Sequence, residues 1–136
     1  MVRAVLDTNV LVSALINPKG APSKVVLLVL TGKVIPLLDE RILYEYRIVL
    51  RREIFGFDPF QVDEYLAQID NNGEFIAAAP LTFSIPDPTD LPFLEVALSG
   101  HGDALITGNK KDFGKPPKGL KILSPAEFLE FYRGPP

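Results

Sequence analysis

Asp7, Glu45, Asp90 and Asn109 are oxygen-bearing side chains far apart in a 136-residue chain. The positions they take relative to the apolar segments make them candidates to meet. Carboxylates placed together repel and raise one another's pKa, and a divalent cation relieves that penalty. Mg²⁺ and Mn²⁺ are hard cations that take oxygen ligands. Held on carboxylates, such an ion acidifies water and offsets charge on a phosphodiester. Metal-assisted hydrolysis is one chemistry this set could perform if it converges, and composition and spacing alone leave the function open. Each residue also has an ordinary reading. Asp7 can cap a helix starting at Asn9, and Glu45 can pair with Arg41 one turn back on an exposed helix face. Asp90 suits the positive end of a helix dipole, and Asn109 beside a glycine suits a turn.

The elements that must position these residues read as alternating strands and helices. Val2 to Leu6 is a short apolar strand ending at Asp7, and Val34 to Leu38 is a second. Helices are expected over Asn9 to Ile16, over Pro22 to Thr31, and from Asp39 to about Arg52. Another runs from Asp58-Pro59 to Asn71-Asn72-Gly73. Phe75 to Ala79 is a candidate strand, and Pro80 to Pro92 is turn-rich. A helix then runs through Ser99, with Pro92 in its first turn, where a missing N–H costs nothing. Ala104 to Thr107 and Leu120 to Leu123 are further strands, separated by a polar, lysine-rich loop from Gly108 to Gly119. Pro125 to Tyr132 is the last helix. Apolar strands alternating with helices predict an α/β fold in one domain over residues 1–136. Its centre is a parallel sheet of four to five strands with helices on both faces. Ligands of such sheets sit at the carboxyl ends of the strands. Asp7 and Asn109 follow strands directly, and Glu45 falls at the edge of its helix's apolar arc (Ile42, Tyr46, Val49 and Leu50).

Composition narrows the chemistry. Hydrophobic residues make up 47% and charged residues 23% of the chain, as in ordinary globular domains. There is no cysteine, which excludes disulfide scaffolds, cysteine-zinc sites and thiol nucleophiles. The net charge of −3 argues against a broad basic phosphate-binding surface and suits a site built of carboxylates. The opening apolar run is too short for a signal peptide or a membrane span, so a cytoplasmic protein without membrane contact is expected. The single histidine, His101, falls before a strand, on the side away from the candidate site. Gly100-His101-Gly102 follows a helix and has Leu105 where a dinucleotide fingerprint needs glycine.

The motifs together resemble the PIN-domain family, in particular its VapC-like branch of toxins from toxin–antitoxin pairs. Val5-Leu6-Asp7-Thr8-Asn9-Val10-Leu11-Val12-Ser13-Ala14 is similar to the first family motif and Leu43-Tyr44-Glu45-Tyr46-Arg47-Ile48-Val49-Leu50 to the second. Asp87-Pro88-Thr89-Asp90-Leu91-Pro92-Phe93-Leu94-Glu95-Val96-Ala97 is similar to the third, with Asp90 the better match and Asp87 the alternative. Asp103-Ala104-Leu105-Ile106-Thr107-Gly108-Asn109 is similar to the fourth, where many members carry aspartate in place of Asn109. Asp112 lies close enough to compensate by folding back.

The resemblance implies Mg²⁺- or Mn²⁺-dependent cleavage of RNA, with Asp7, Glu45 and Asp90 as metal ligands. Asn109 would act as a weaker ligand or water-positioner, and Thr8, Ser13 and Thr107 as hydroxyls orienting the carboxylates. It also implies an antitoxin partner and a homodimer. Arg47, Arg51 and Arg52 near Glu45, and Lys110, Lys111, Lys115 and Lys118 near Asn109, are candidates to touch RNA phosphates. Two rivals make distinct demands. A PIN-like module that binds RNA or protein without cutting is favoured by the neutral Asn109. A phosphatase using Asp7 as covalent acceptor would resemble haloacid dehalogenases, which show aspartate where Asn9 stands and threonine where Leu11 stands; this chain has neither.

Overall fold

The computed structural model describes residues 1–82, 84–117 and 119–134. Strand β1 (Val2–Leu6) leads through α1 (Thr8–Ile16) and α2 (Ala21–Leu30) to β2 (Val34–Leu38). Helices α3 (Glu40–Leu50) and α4 (Pro59–Asn72) lead on to β3 (Glu74–Phe75), and α5 (Leu91–Ser99) leads to β4 (Ala104–Ile106). β5 (Lys121–Leu123) and α6 (Pro125–Arg133) complete the order, with 3₁₀ turns at Glu53–Phe55, Pro88–Asp90 and Lys110–Phe113.

The strands form one parallel sheet in the order β3-β2-β1-β4-β5. From β1 the chain steps outward to β2 and β3, then returns to add β4 and β5 on the other side of β1. Right-handed crossovers running in opposite directions place their helices on opposite faces. Consistent with this, α2 contacts α4 and α6, whereas α5 packs on β1, β2 and β4. The expected α/β class and parallel sheet are therefore those of the structure. The reversal lies between β1 and β4, and it opens a crevice at their carboxyl ends, where such sheets hold ligands.

Burial on both faces explains the unalternated strands. Ala4, Val5 and Leu6 of β1 and Ala104, Leu105 and Ile106 of β4 are all buried. Pro36 sits inside β2, paired with Ala4 of β1. Pairing with β3 starts at Leu37 and Leu38, so no β2–β3 rung is registered at the proline.

The structure corrects two sequence expectations. The strand expected over Phe75 to Ala79 is Glu74–Phe75, followed by one further bond from the Ile76 amide to the Leu38 carbonyl. Beyond that the chain turns onto α5. The Ala79 amide bonds the Ser99 hydroxyl, and Ile76 packs where a side chain at Gly100 would stand. The alanines that follow have too little apolar surface to make a longer edge strand worth covering. The expected polar loop from Gly108 instead contains the 3₁₀ turn Lys110–Phe113, pinned by the buried Phe113. Gly114 ends that turn at φ +66°, and a side chain there would meet Pro86. The turn thus lies close against the segment that precedes α5. Among the described residues, no helix is long and apolar enough to cross a membrane.

Candidate metal centre

Asp7 is the first residue past β1, and its amide still bonds the Ile106 carbonyl of β4 at 2.9 Å. It therefore sits at the crevice between the two strands. It occupies the N-cap position of α1 without a side-chain capping bond. Instead its Oδ2 accepts a hydrogen bond from the buried Thr107 hydroxyl at 2.8 Å. The Asp7 carboxyl is pushed up to about 6, mainly by burial. Glu45 and Asp112 add to the rise, while the bonds from Thr107 and the Thr8 amide oppose it.

Glu45 projects from α3 and is half-buried. Its Oε2 accepts a hydrogen bond from the Thr8 hydroxyl. The ordinary pairing with Arg41 does not occur. Arg41 bonds Glu95 of α5 and Asp39 at the start of α3, each at 2.7 Å.

Asp90 ends the 3₁₀ turn Pro88–Asp90 and occupies the N-cap position of α5. Its carboxyl is pushed up to about 7, first by burial and then by Asp7, Asp87, Asp112 and Glu45. Asp87 and Asp90 share one place with Asp112. Candidate ligand oxygens of these three residues all lie within 4.8 Å of one another. Asp87 and Asp90 thus stand together where the sequence offered them as alternatives, with Asp112 of the following loop beside them.

Asn109 is exposed. Its side-chain amide donates to Asp112 Oδ1 at 3.0 Å, and its backbone amide donates to the Thr107 hydroxyl at 3.0 Å. It therefore supports Asp112 and Thr107 from outside the cluster. Thr8 and Thr107 make the carboxylate contacts expected of them. Ser13 is exposed on α1, and no hydrogen bond joins it to a carboxylate among the described residues.

The flanking cations divide. Arg51 pairs with Asp63 of α4, and Lys110 pairs with Glu127 of α6 at 2.8 Å. Arg47, Arg52, Lys111 and Lys115 are exposed, and Lys118 lies outside the described residues. Lys110→Ala breaks an exposed pair and is expected to change stability by under ~1 kcal/mol in urea denaturation. A larger loss would mean that this pair holds the loop carrying Asp112. His101 is exposed in the turn before β4, at the end of the sheet away from the carboxylates.

Sequence reasoning did not single out three further residues. The Asn9 side-chain oxygen accepts from the Gly108 amide at 3.0 Å, joining α1 to the loop after β4. The buried Glu95 accepts from the Leu81 amide and pairs with Arg41. The Tyr46 hydroxyl bonds the Leu6 carbonyl. Asn9, Tyr46 and Glu95 lie within the first, second and third motifs, which is the signal that could have found them.

The donor set fits a divalent cation. Asp87, Asp90 and Asp112, from two chain segments, form the close cluster, and Asp7 and Glu45 lie near enough for their charges to act on Asp90. Among the described residues, no lysine or arginine forms an ion pair with any of them. Burial first, and then the neighbouring carboxylates, raise the pKa values of Asp7 and Asp90, and oxygen-only donors suit Mg²⁺ or Mn²⁺.

Comparison with known proteins agrees with this architecture. An uncharacterized protein of Methanocaldococcus jannaschii is 43% identical over 150 residues, covering 95% of this chain and 90% of that protein. The crystal structure of VapBC2 from Rickettsia felis, bound to a DNA fragment from their promoter, has a similar fold. Its TM-score is 0.57 at 17% identity, with 90% of this chain and 98% of that one covered. The family model described as the PIN domain matches residues 3–111, a span that includes Asp7, Glu45, Asp87, Asp90 and Asn109, and the chain belongs to the PIN-domain family.

Proposed function

We propose that this protein is a Mg²⁺- or Mn²⁺-dependent endoribonuclease, the toxin member of a cytoplasmic toxin–antitoxin pair. The observation that carries this reading is the cluster of Asp87, Asp90 and Asp112, with Asp7 and Glu45 near enough to act on Asp90 and no ion pair to a protein cation among the described residues. Asp87, Asp90 and Asp112 would hold the ion, with Asp7 and Glu45 as further carboxylate ligands. A divalent cation bound there supplies Lewis acidity, acidifying water and offsetting charge that develops on the phosphodiester.

The chain's own residues do the rest. Thr107 holds Asp7, and Thr8 holds Glu45, so that both carboxylates are oriented before any ligand arrives. Asn109 holds Asp112. The neutral Asn109 therefore does not leave the fourth motif without a carboxylate, because Asp112 occupies the cluster. Arg47 and Lys111 remain available for phosphates flanking the scissile bond. The VapC-like sequence motifs and the fold shared with VapBC2 support a partner antitoxin, and the resemblance supports pairing of two copies.

The test is cleavage of labelled single-stranded RNA in Mn²⁺, Mg²⁺ or EDTA. Metal-dependent cleavage that disappears in Asp7→Asn and Asp90→Asn is the expected result. Cleavage surviving EDTA or both substitutions would assign the activity elsewhere. No cleavage across several RNAs, with metal in excess, would favour a binding module.

A further inference from the structure

Two hydrogen bonds cross from α3 to the residues on either side of Asp7. The Tyr46 hydroxyl donates to the Leu6 carbonyl at 2.5 Å, and the Thr8 hydroxyl donates to Glu45. Leu6 and Thr8 flank Asp7 in the chain, and Glu45 and Tyr46 are neighbours on α3. The bonds are thus two rungs straddling the first acidic residue of the centre.

The Tyr46 rung has a fixed far end. Leu6 closes β1, which is held between β2 and β4. Tyr46 itself is buried, and its ring packs on Phe93 of α5 with centroids 6.4 Å apart. One side chain therefore touches β1 beside Asp7, belongs to the helix carrying Glu45, and leans on the helix that begins at Asp90. A buried phenol needs an acceptor for its proton. Ile42 and Leu50, also buried on α3, hold the helix on the sheet by packing, which is non-directional. A directional bond to a main-chain carbonyl defines one register.

We infer that Tyr46 is a positioning residue whose hydroxyl, bonded to the Leu6 carbonyl, fixes the separation of Asp7 and Glu45. The inference rests on the metal-dependent reading of this centre.

Tyr46→Phe keeps the ring and removes only the bond. Three measurements are made on the full chain: a crystal structure of the metal-free variant, Mn²⁺ titration calorimetry, and thermal melting. The expected result is a displaced Glu45, released from Thr8, with Mn²⁺ affinity reduced about 10-fold, as for loss of groups that orient metal ligands. Ile69→Val serves as the comparison. It trims a buried side chain of α4, which holds none of the five carboxylates, and should lower the melting temperature while leaving Mn²⁺ affinity at the wild-type value. An unchanged Asp7–Glu45 separation in Tyr46→Phe overturns the inference whatever the metal does. A changed separation with unaltered Mn²⁺ affinity overturns it too. Wild-type protein that takes up no Mn²⁺ defeats the metal reading separately, and the variant's crystal structure alone then decides for or against the positioning role.

Discussion

Asp90→Asn is expected to lower RNA cleavage by roughly 10²-fold or more, on the scale of removing a single group that stabilises a transition state, and to make the metal-free protein more stable at pH 8. The two effects have one cause. Asp90 is buried and faces Asp7, Asp87, Asp112 and Glu45, and its carboxyl is pushed up to about 7. In the unfolded chain the same group titrates near ~3.9. A folded-state pKa above the unfolded value means that the native state holds the proton more tightly. The stability this contributes is fully present below about pH 4 and is lost as pH rises towards about 7. Asp7, pushed up to about 6, acts in the same direction. Without metal, the wild-type protein should therefore lose stability between about pH 4 and pH 7 through these two groups. The substituted side chain carries no charge and should restore about 1–2 kcal/mol at pH 8, well under the full value of a shift of about three pKa units at about 1.4 kcal/mol each, because water and relaxing neighbours screen the charge. Urea denaturation in EDTA at pH 5 and pH 8 measures this. A variant less stable than wild type at pH 8 would show that the carboxylates do not repel as the structure places them.

Arg41→Ala should destabilise the protein by about 2–4 kcal/mol by leaving a largely buried carboxylate without its counter-ion. Arg41 is half exposed, but its partner Glu95 is not: their side chains are 47% and 9% exposed. The other Glu95 oxygen accepts from the Leu81 amide at 2.9 Å. The pair thus joins α3, α5 and the segment leading to Asp87. Glu95→Gln keeps an oxygen for Leu81 and removes the charge that Arg41 answers, so its loss should be smaller, about 1 kcal/mol. Urea denaturation of the two variants checks the order. Equal losses, or no loss in Arg41→Ala, would show that Glu95 is solvated well enough to stand alone.

Much of this architecture was legible residue by residue. The apolar runs at Val2–Leu6 and Ala104–Ile106 read as strands because burial on both faces removes alternation. Asp7 followed as a carboxyl-end residue without further information. Helix boundaries were visible where chemistry marks them: Asp39 and Asp58 do cap α3 and α4 through their side chains. The strand at Phe75 was legible in place but not in length. The loop after Thr107 read as polar throughout because one phenylalanine among lysines gives no periodic signal.

The list of acidic residues, and the end of the sheet at which they gather, can be read along the chain, since strand direction and side-chain type are local properties. Which of them stand together was settled by packing. Asp87 and Asp90 are three residues apart and looked like alternatives, yet the 3₁₀ turn between them and the approach of the 110–113 turn bring carboxylate oxygens of both within 4.8 Å of Asp112. Arg41 looked like Glu45's partner at helical spacing, yet α5 offered it the buried Glu95. Tyr46 read only as core because its apolar position on α3 is local information, whereas the Leu6 carbonyl it bonds, 40 residues away, comes into reach only when the helix packs on the sheet. Pairing between side chains of distant segments depends on distances that packing sets, and no spacing along the chain encodes them.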